Sequence, residues 1–153
     1  MGLHPTAARA QQRLRERGLG VEVRELDAST RTAADAAEAV GSDVGQIVKS
    51  LVFVVGDEAV MCLCAGDRRV DTTRLGDGAR PASAEEARDA TGFAIGGIPP
   101  LGHEHELRTL VDASLRRFET VWCAAGTPHA VFAVRTEDLI RALPRAEVVD
   151  VAA

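Results

Sequence analysis

Tyrosine is absent from this 153-residue chain, tryptophan occurs once, and aromatic residues make up only 3% of it. So sparse a set argues against stacked aromatic platforms for single-stranded nucleic acid. Cysteine is also scarce. Cys62, Cys64 and Cys123 show neither C-x-x-C spacing nor the density of a secreted disulfide scaffold, so reduced thiols in a cytoplasmic protein are expected. No apolar run approaches transmembrane length, and the amino-terminal arginines precede no signal-like apolar stretch. Neither a membrane partner nor export is therefore expected. A formal charge of −5 excludes nucleic-acid binding by bulk electrostatics but leaves room for a local basic patch. The most telling scarcity is lysine: Lys49 stands alone against seventeen arginines.

What is present fits one domain over residues 1–153, with 46% hydrophobic residues to build a single core. No internal repeat or low-complexity segment interrupts it. Gly45 to Leu63 reads as two apolar strands joined by a tight turn at Gly56-Asp57. In the first strand Ile47, Leu51 and Phe53 share a face with Lys49, while Val48, Val52 and Val54 share the other with Ser50. An unpartnered ammonium in a dry interior costs several kcal/mol. Lys49 must either reach the surface or sit at the wall of a polar pocket, and the pocket is the reading adopted.

Around this hairpin the chain alternates helices and strands. Pro5 starts a helix to about Arg17 that stops at Gly18. Arg9, Arg13 and Arg17 line one side of it, as a solvated face or alternatively as a phosphate-contacting ridge. Val21 to Leu26 alternates like a half-exposed strand. Thr32 caps a helix to Val40 ahead of Gly41, and a short helical turn ends near Leu75. Ser83 and Glu86 form a capping box for a helix from Ala84 to Thr91. Strands are expected at Leu107 to Val111, Val121 to Ala124, His129 to Val134 and Glu147 to Val151. Between them fall a short helix over Ala113 to Phe118 and one capped by Thr136 that runs to Ala142. Several strand connections are too short for right-handed crossovers. The expected fold is α+β: a mixed, mostly antiparallel, curved and barrel-like sheet surrounded by helices.

Two loops stand out beside Lys49. Gly96-Gly97-Ile98-Pro99-Pro100 packs glycines, which permit close backbone approach, against prolines, which hold the chain stiff. Such a loop is often only a connector, but it also suits a preorganised wall of main-chain donors. Gly126-Thr127-Pro128-His129 turns between two strands. Taken in order, Gln46 to Phe53, Gly96 to Gly102 and Ala125 to His129 resemble the YbaK/ProX family, relatives of the editing domain inserted in bacterial prolyl-tRNA synthetase. The resemblance runs from about Val21 to Leu143.

The resemblance implies the YbaK/ProRS-associated fold and hydrolysis of mischarged aminoacyl-tRNA by a free-standing trans-editing protein. It maps Lys49 onto the family's essential lysine and Gly96, Gly97, Ile98, Pro99 and Pro100 onto its G-x-x-x-P loop. Gly126, Thr127 and His129 fall on a variable pocket wall, and Ser50 falls where relatives often carry threonine. The implied partner is a tRNA acceptor end carrying a small amino acid such as alanine. A synthetase or elongation factor is a further partner, and a non-catalytic aminoacyl-tRNA-binding module is the alternative. No cofactor and no metal are expected, because the scissile ester is already activated. Lys49 then serves in electrostatic positioning rather than as a general base. Arg68, Arg69, Arg74 and Arg80 are candidate phosphate contacts. Two rival chemistries are weaker: His103-Glu104-His105 as zinc ligands lacks an evident third ligand. Cys62, Cys64 or Cys123 with His129 as a thiol hydrolase would use cysteines set among buried apolar residues.

Overall fold

Local side-chain chemistry sets the ends of the helices. The computed structural model describes residues 2–27, 30 and 32–153. Its helices are α1 (Pro5–Glu16), α2 (Ala33–Val40), α3 (Ala84–Thr91) and α4 (Thr136–Ala142). Pro5 opens α1, Thr32 Oγ1 accepts from Asp35 N–H to cap α2, and Ser83 and Glu86 form the capping box of α3. Thr136 departs from its expected capping role. Its hydroxyl donates to Phe118 O at 2.6 Å, fastening α4 to the preceding turn, and Arg135 takes the cap position.

The strands are β1 (Arg24–Glu25), β2 (Val48–Val55), β3 (Glu58–Ala65), β4 (Arg80–Pro81), β5 (Arg108–Asp112), β6 (Thr120–Ala124), β7 (Ala130–Arg135) and β8 (Ala146–Val149). They form two sheets, ordered β1-β7-β6 and β4-β2-β3-β5-β8. Pairing is antiparallel except for β3 with β5 and β5 with β8, so the mixed, mostly antiparallel α+β architecture holds. The barrel-like closure does not. Among the described residues the two sheets pair only at one parallel bridge, Ile47 with Trp122, while their inner faces pack into a common core. β1 is also shorter than the alternation from Val21 implied. Val23 N–H donates to Gln11 Oε1 and Val21 O accepts from Arg15 Nε, so side chains of α1 hold a segment that would otherwise pair as strand.

The β2–β3 hairpin is buried on both faces. Val48, Val52, Met61 and Leu63 enter the main core with Phe132, Leu14 and Leu139. Phe53, Val60 and Cys62 join Leu75, Leu110 and Val151 in a second cluster. That partition is the one strand alternation predicts for β2. The carboxyl terminus is tied to this second layer by Asp112. Its Oδ1 accepts from the N–H groups of Val151 and Ala152 at 2.9 and 3.0 Å. The tail then pairs with the 69–71 segment, through Arg69 N–H to Ala153 O and Asp71 N–H to Val151 O.

The glycine-proline segment between α3 and β5 is a closed loop. Glu104 N–H donates to Thr91 O at 2.9 Å and joins its ends. Phe93, Ile98 and Leu101 are buried, as are both prolines, whereas Ala94, Ile95 and Gly96 form an exposed tip. The arginine ridge of α1 grips this loop. Arg9 lies 4.5 Å from the Phe93 ring centroid and donates to Gly92 O at 2.7 Å; Arg13 donates to Gly102 O and pairs with Glu104 at 3.3 Å. At Arg9 and Arg13 the ridge thus clamps the loop, with Arg9 still exposed to solvent. From inside, His103 Nε2 donates to Pro99 O at 2.6 Å.

Two outcomes follow for the supports. Asp112→Ala leaves buried N–H groups without acceptors and should cost about 3 kcal/mol in urea unfolding, with fast amide exchange at Val151 and Ala152. Asp112→Asn keeps an acceptor oxygen and should cost less. His103 is lowered by burial to about 4, against the opposing pull of its bond to Pro99. Because the unfolded imidazole takes a proton near 6.5 and the folded one does not, stability should fall as pH drops from 6.5 to 4, by an amount on the order of 3 kcal/mol. Unfolding curves of His103→Gln, which keeps a donor but does not titrate, should lack that slope; an equal slope in both proteins would remove His103 as its source.

Candidate active site

Between the edge of β2, the smaller sheet, α2 and the closed loop lies a cavity of about 300 Å³. Ile47, Leu51 and Val48 form its β2 wall, and Trp122, Ala124 and Val131 its wall on the smaller sheet. Ala33, Ala36 and Val40 of α2 and Ile95, Gly96 and Ile98 of the closed loop complete it. Small residues at positions 33 and 36 let α2 approach closely, so the lining is predominantly apolar. Ile95, at the rim, is 58% exposed.

The polar side chains at this cavity are Lys49 and Ser50 of β2 with Thr30 and Thr32. Lys49 is half-buried, lies opposite Cys64 in the β2–β3 register, and donates from Nζ to Arg68 O at 2.5 Å. The 65–68 turn thus receives the amine: Lys49 lines the cavity, and a main-chain carbonyl accepts from its nitrogen. Ser50 differs. Its Oγ is buried and, among the described residues, has no hydrogen-bond partner.

The edge of β2 is open at the same place. β4 pairs only with Phe53 and Val54, and Val52 O accepts from Ala82 N–H on that side. Strand alternation turns the Ser50 N–H and C=O to the same edge, between β4 and the Ile47–Trp122 bridge, where no strand pairs with them among the described residues. Within the loop, Gly97 N–H is spent on Ala94 O at 3.0 Å. The neighbouring N–H groups of Gly96 and Ile98 have no acceptor among the described residues. The expected wall of main-chain donors therefore reduces to those two amides.

Of the residues expected at the site, Lys49, Ser50, Gly96 and Ile98 line the cavity. Gly97, Pro99 and Pro100 stand behind it, buried. Gly97 has no room for a side chain, since a Cβ there would meet Gly126 O at 2.6 Å. Gly126 N–H donates to Gly97 O at 2.7 Å, and Pro128 O accepts from Thr30. The Gly126-Thr127-Pro128 turn thus braces the loop and Thr30, a lining residue, instead of forming the wall. His129 is exposed, with its N–H on Thr127 Oγ1. The wall position expected of it belongs to Ala124 and Val131. Sequence reading missed Trp122, the chain's one tryptophan, and the Ala33, Ala36, Val40 stripe, whose helical spacing was its only signal.

The rival chemistries find little support in this geometry. His103 points inward to Pro99 while Glu104 and His105 are exposed, and among the described residues no group of three His, Cys, Asp or Glu is gathered as a metal site. All three cysteines are buried. Burial pushes the Cys62 and Cys64 thiols up to about 12 and about 11 and raises Cys123 as well, which suppresses the thiolate. Lys49 lowers the first two but does not outweigh burial.

Comparison with known proteins agrees with the resemblance read from Lys49 and the two loops. Residues 27–142 match the profile of the aminoacyl-tRNA editing domain. The uncharacterized protein YwhH of Bacillus subtilis (strain 168) is 34% identical over 123 residues, covering 77% of this chain and 78% of that protein. The proline–tRNA ligase of Ligilactobacillus salivarius (strain UCC118) is 34% identical over 89 residues, which are 55% of this chain but only 16% of the ligase. A crystal structure described as a candidate trans-editing enzyme for prolyl-tRNA synthetase superposes with a TM-score of 0.92 at 47% identity, covering 99% of each chain. With the profile spanning most of the sequence and YwhH aligned over more than two thirds of both proteins, this chain belongs to the aminoacyl-tRNA editing domain family.

Proposed function

We propose that the protein is an aminoacyl-tRNA deacylase acting in trans. It hydrolyses the ester between a small, apolar amino acid and the 3′-terminal ribose of a mischarged tRNA. The observation that carries this reading is the pairing of an apolar cavity of about 300 Å³ with a few unpartnered polar groups beside Lys49. An aliphatic wall of Ala36, Val40, Ile47 and Val131 suits a side chain of alanine or 2-aminobutyrate size. Discrimination of one methylene in such a pocket is worth only about 1–3 kcal/mol, so neighbouring small amino acids should be removed at graded rates.

In the reaction, water adds to the ester carbonyl, the bond from that carbon to the ribose oxygen breaks, and the products are free amino acid and tRNA with an intact terminal diol. Lys49 holds the ribose or adjoining phosphate and offsets the charge that develops on the ester. Its Nζ has hydrogens to spare beyond the one directed at Arg68 O. The Gly96 and Ile98 amides act as oxyanion donors, each worth roughly 3 kcal/mol when well placed. The Ser50 carbonyl, on the open edge of β2, accepts from the substrate's amino group. No step calls for a metal or other cofactor. The superposition over 99% of each chain on a candidate trans-editing enzyme supports reading residues 1–153 as one editing domain that acts on tRNA charged by a synthetase in the cytoplasm.

A deacylation assay over a panel of aminoacyl-tRNAs tests this directly. Wild type should release one or two small amino acids, unaffected by chelator or thiol reagent, and Lys49→Ala should lose at least 10²-fold in rate while remaining folded. Equal rates in both proteins would remove Lys49 from the mechanism, and no release from any substrate would leave a binding module. Ser50→Ala should leave stability unchanged or slightly raised, since no internal hydrogen bond is lost, and leave KM unchanged, because the main-chain carbonyl remains. A stability loss would make the hydroxyl a packing element, and a raised KM would put it in contact with the substrate.

A further inference from the structure

Directly paired residues project from the same face of a sheet, as do alternate residues along a strand. Arg24 pairs with Val131, and Val131 with Ala124; Trp122 lies two residues before Ala124 on β6. Arg24, Val131, Ala124 and Trp122 therefore share one face of the smaller sheet, and the last three line the cavity. The Arg24 side chain extends across that face to bring its guanidinium 5.4 Å from the Trp122 ring centroid. It is exposed, and among the described residues it forms no ion pair and no side-chain hydrogen bond.

Among the candidate phosphate contacts Arg68, Arg69, Arg74 and Arg80, only Arg69 shares that freedom, and it neither lines the cavity nor packs on one of its walls. Arg68 is paired with Asp67, Arg74 with Asp71 and Asp150, and Arg80 with Glu86 at 2.8 Å. Arg24 is thus a cation with open donors, fixed by an aromatic face that is itself a wall of the reaction pocket. A guanidinium so placed matches a phosphodiester in geometry and charge.

Resting on the deacylase reading, we infer that Arg24 is the anchor for the backbone phosphate nearest the esterified 3′ end, with Trp122 as the platform that holds it at the pocket mouth. The anchor orients the terminal ribose toward Lys49 and gives the site its preference for polynucleotide over free aminoacyl nucleoside. It is a positioning residue and takes no part in breaking the ester.

The test uses Arg24→Gln, which keeps the stem but loses the charge, and Arg24→Lys, which keeps the charge. Binding of an uncharged RNA oligonucleotide ending in CCA is measured against salt, beside deacylation of aminoacyl-tRNA and of a 3′-O-aminoacyl adenosine that has no phosphate. Arg24→Gln should weaken oligonucleotide binding several-fold and reduce the slope of log K against log salt by about 0.7. Arg24→Lys should keep most of that slope. On aminoacyl-tRNA, KM should rise with kcat unchanged; on the adenosine ester all three proteins should be equal. Identical affinity and slope in wild type and Arg24→Gln would overturn the inference, as would equal losses on both esters, which mark a packing role over Trp122. Absence of oligonucleotide binding by wild type would overturn it too. Arg24-dependent binding by a protein that releases no amino acid would sink the deacylase reading and leave the anchor standing.

Discussion

The single bridge between Ile47 and Trp122 is the contact on which the site depends. It joins the sheets at the start of β2, and between it and β4 the β2 edge has no paired strand among the described residues, which is where the cavity lies. Had the sheets continued to pair, Ser50 would have spent its backbone groups on a neighbouring strand and the protein would have closed toward the expected barrel. The open edge is normally a liability in a sheet. Here it is covered from the sides by α2 and the glycine-proline loop, which hide it from other chains while leaving it free toward the cavity. Gln46 reinforces the junction by donating from Nε2 to Thr120 O at 3.1 Å.

Much of the architecture was legible because its signals are local. Caps at Thr32 and Ser83, stops at Gly41 and Gly92, and the Gly56-Asp57 turn each follow from a few neighbouring residues, and the structure has them all. Lys49 was legible for a different reason: an ammonium in an apolar strand has few acceptable environments. What could not be read was partner choice. Nothing local indicates that β3 and β5 run parallel, that Gln11 would take the N–H of Val23, or that Thr136 would serve Phe118 in preference to its own helix. The loop contacts of the arginine ridge were illegible for the same reason. Its spacing on α1 is correct, but what faces it depends on where the chain ninety residues later is folded.

The site's composition illustrates a related division. Residues contributing backbone geometry announced themselves as glycine and proline, whereas residues contributing surface did not. Alanine at 33, 36 and 124 is informative only once an empty volume is known to lie beside it. Gly126 was placed in the wall on the strength of its motif, and its work is one layer back, where it fixes Gly97 by a hydrogen bond and by lack of room. A motif marks the residues a site requires, and these include the supports as well as the groups that face the ligand.

Rigidity is the common consequence. The loop that carries the Gly96 and Ile98 amides is closed at its ends, filled by Phe93 and Leu101, clamped by Arg9 and Arg13 from outside, and tied to His103 from within. Preorganised donors stabilise developing charge without reorganising at the moment of reaction, which is the condition under which a backbone amide is worth kilocalories rather than tenths. Under the proposed function, the same logic explains how an acidic chain serves a polyanionic substrate. With most of the basic side chains near the pocket tied to carboxylates or carbonyls, the long-range field does little. Affinity must then come from short-range geometry, and the few unpartnered donors around this cavity are where that geometry resides.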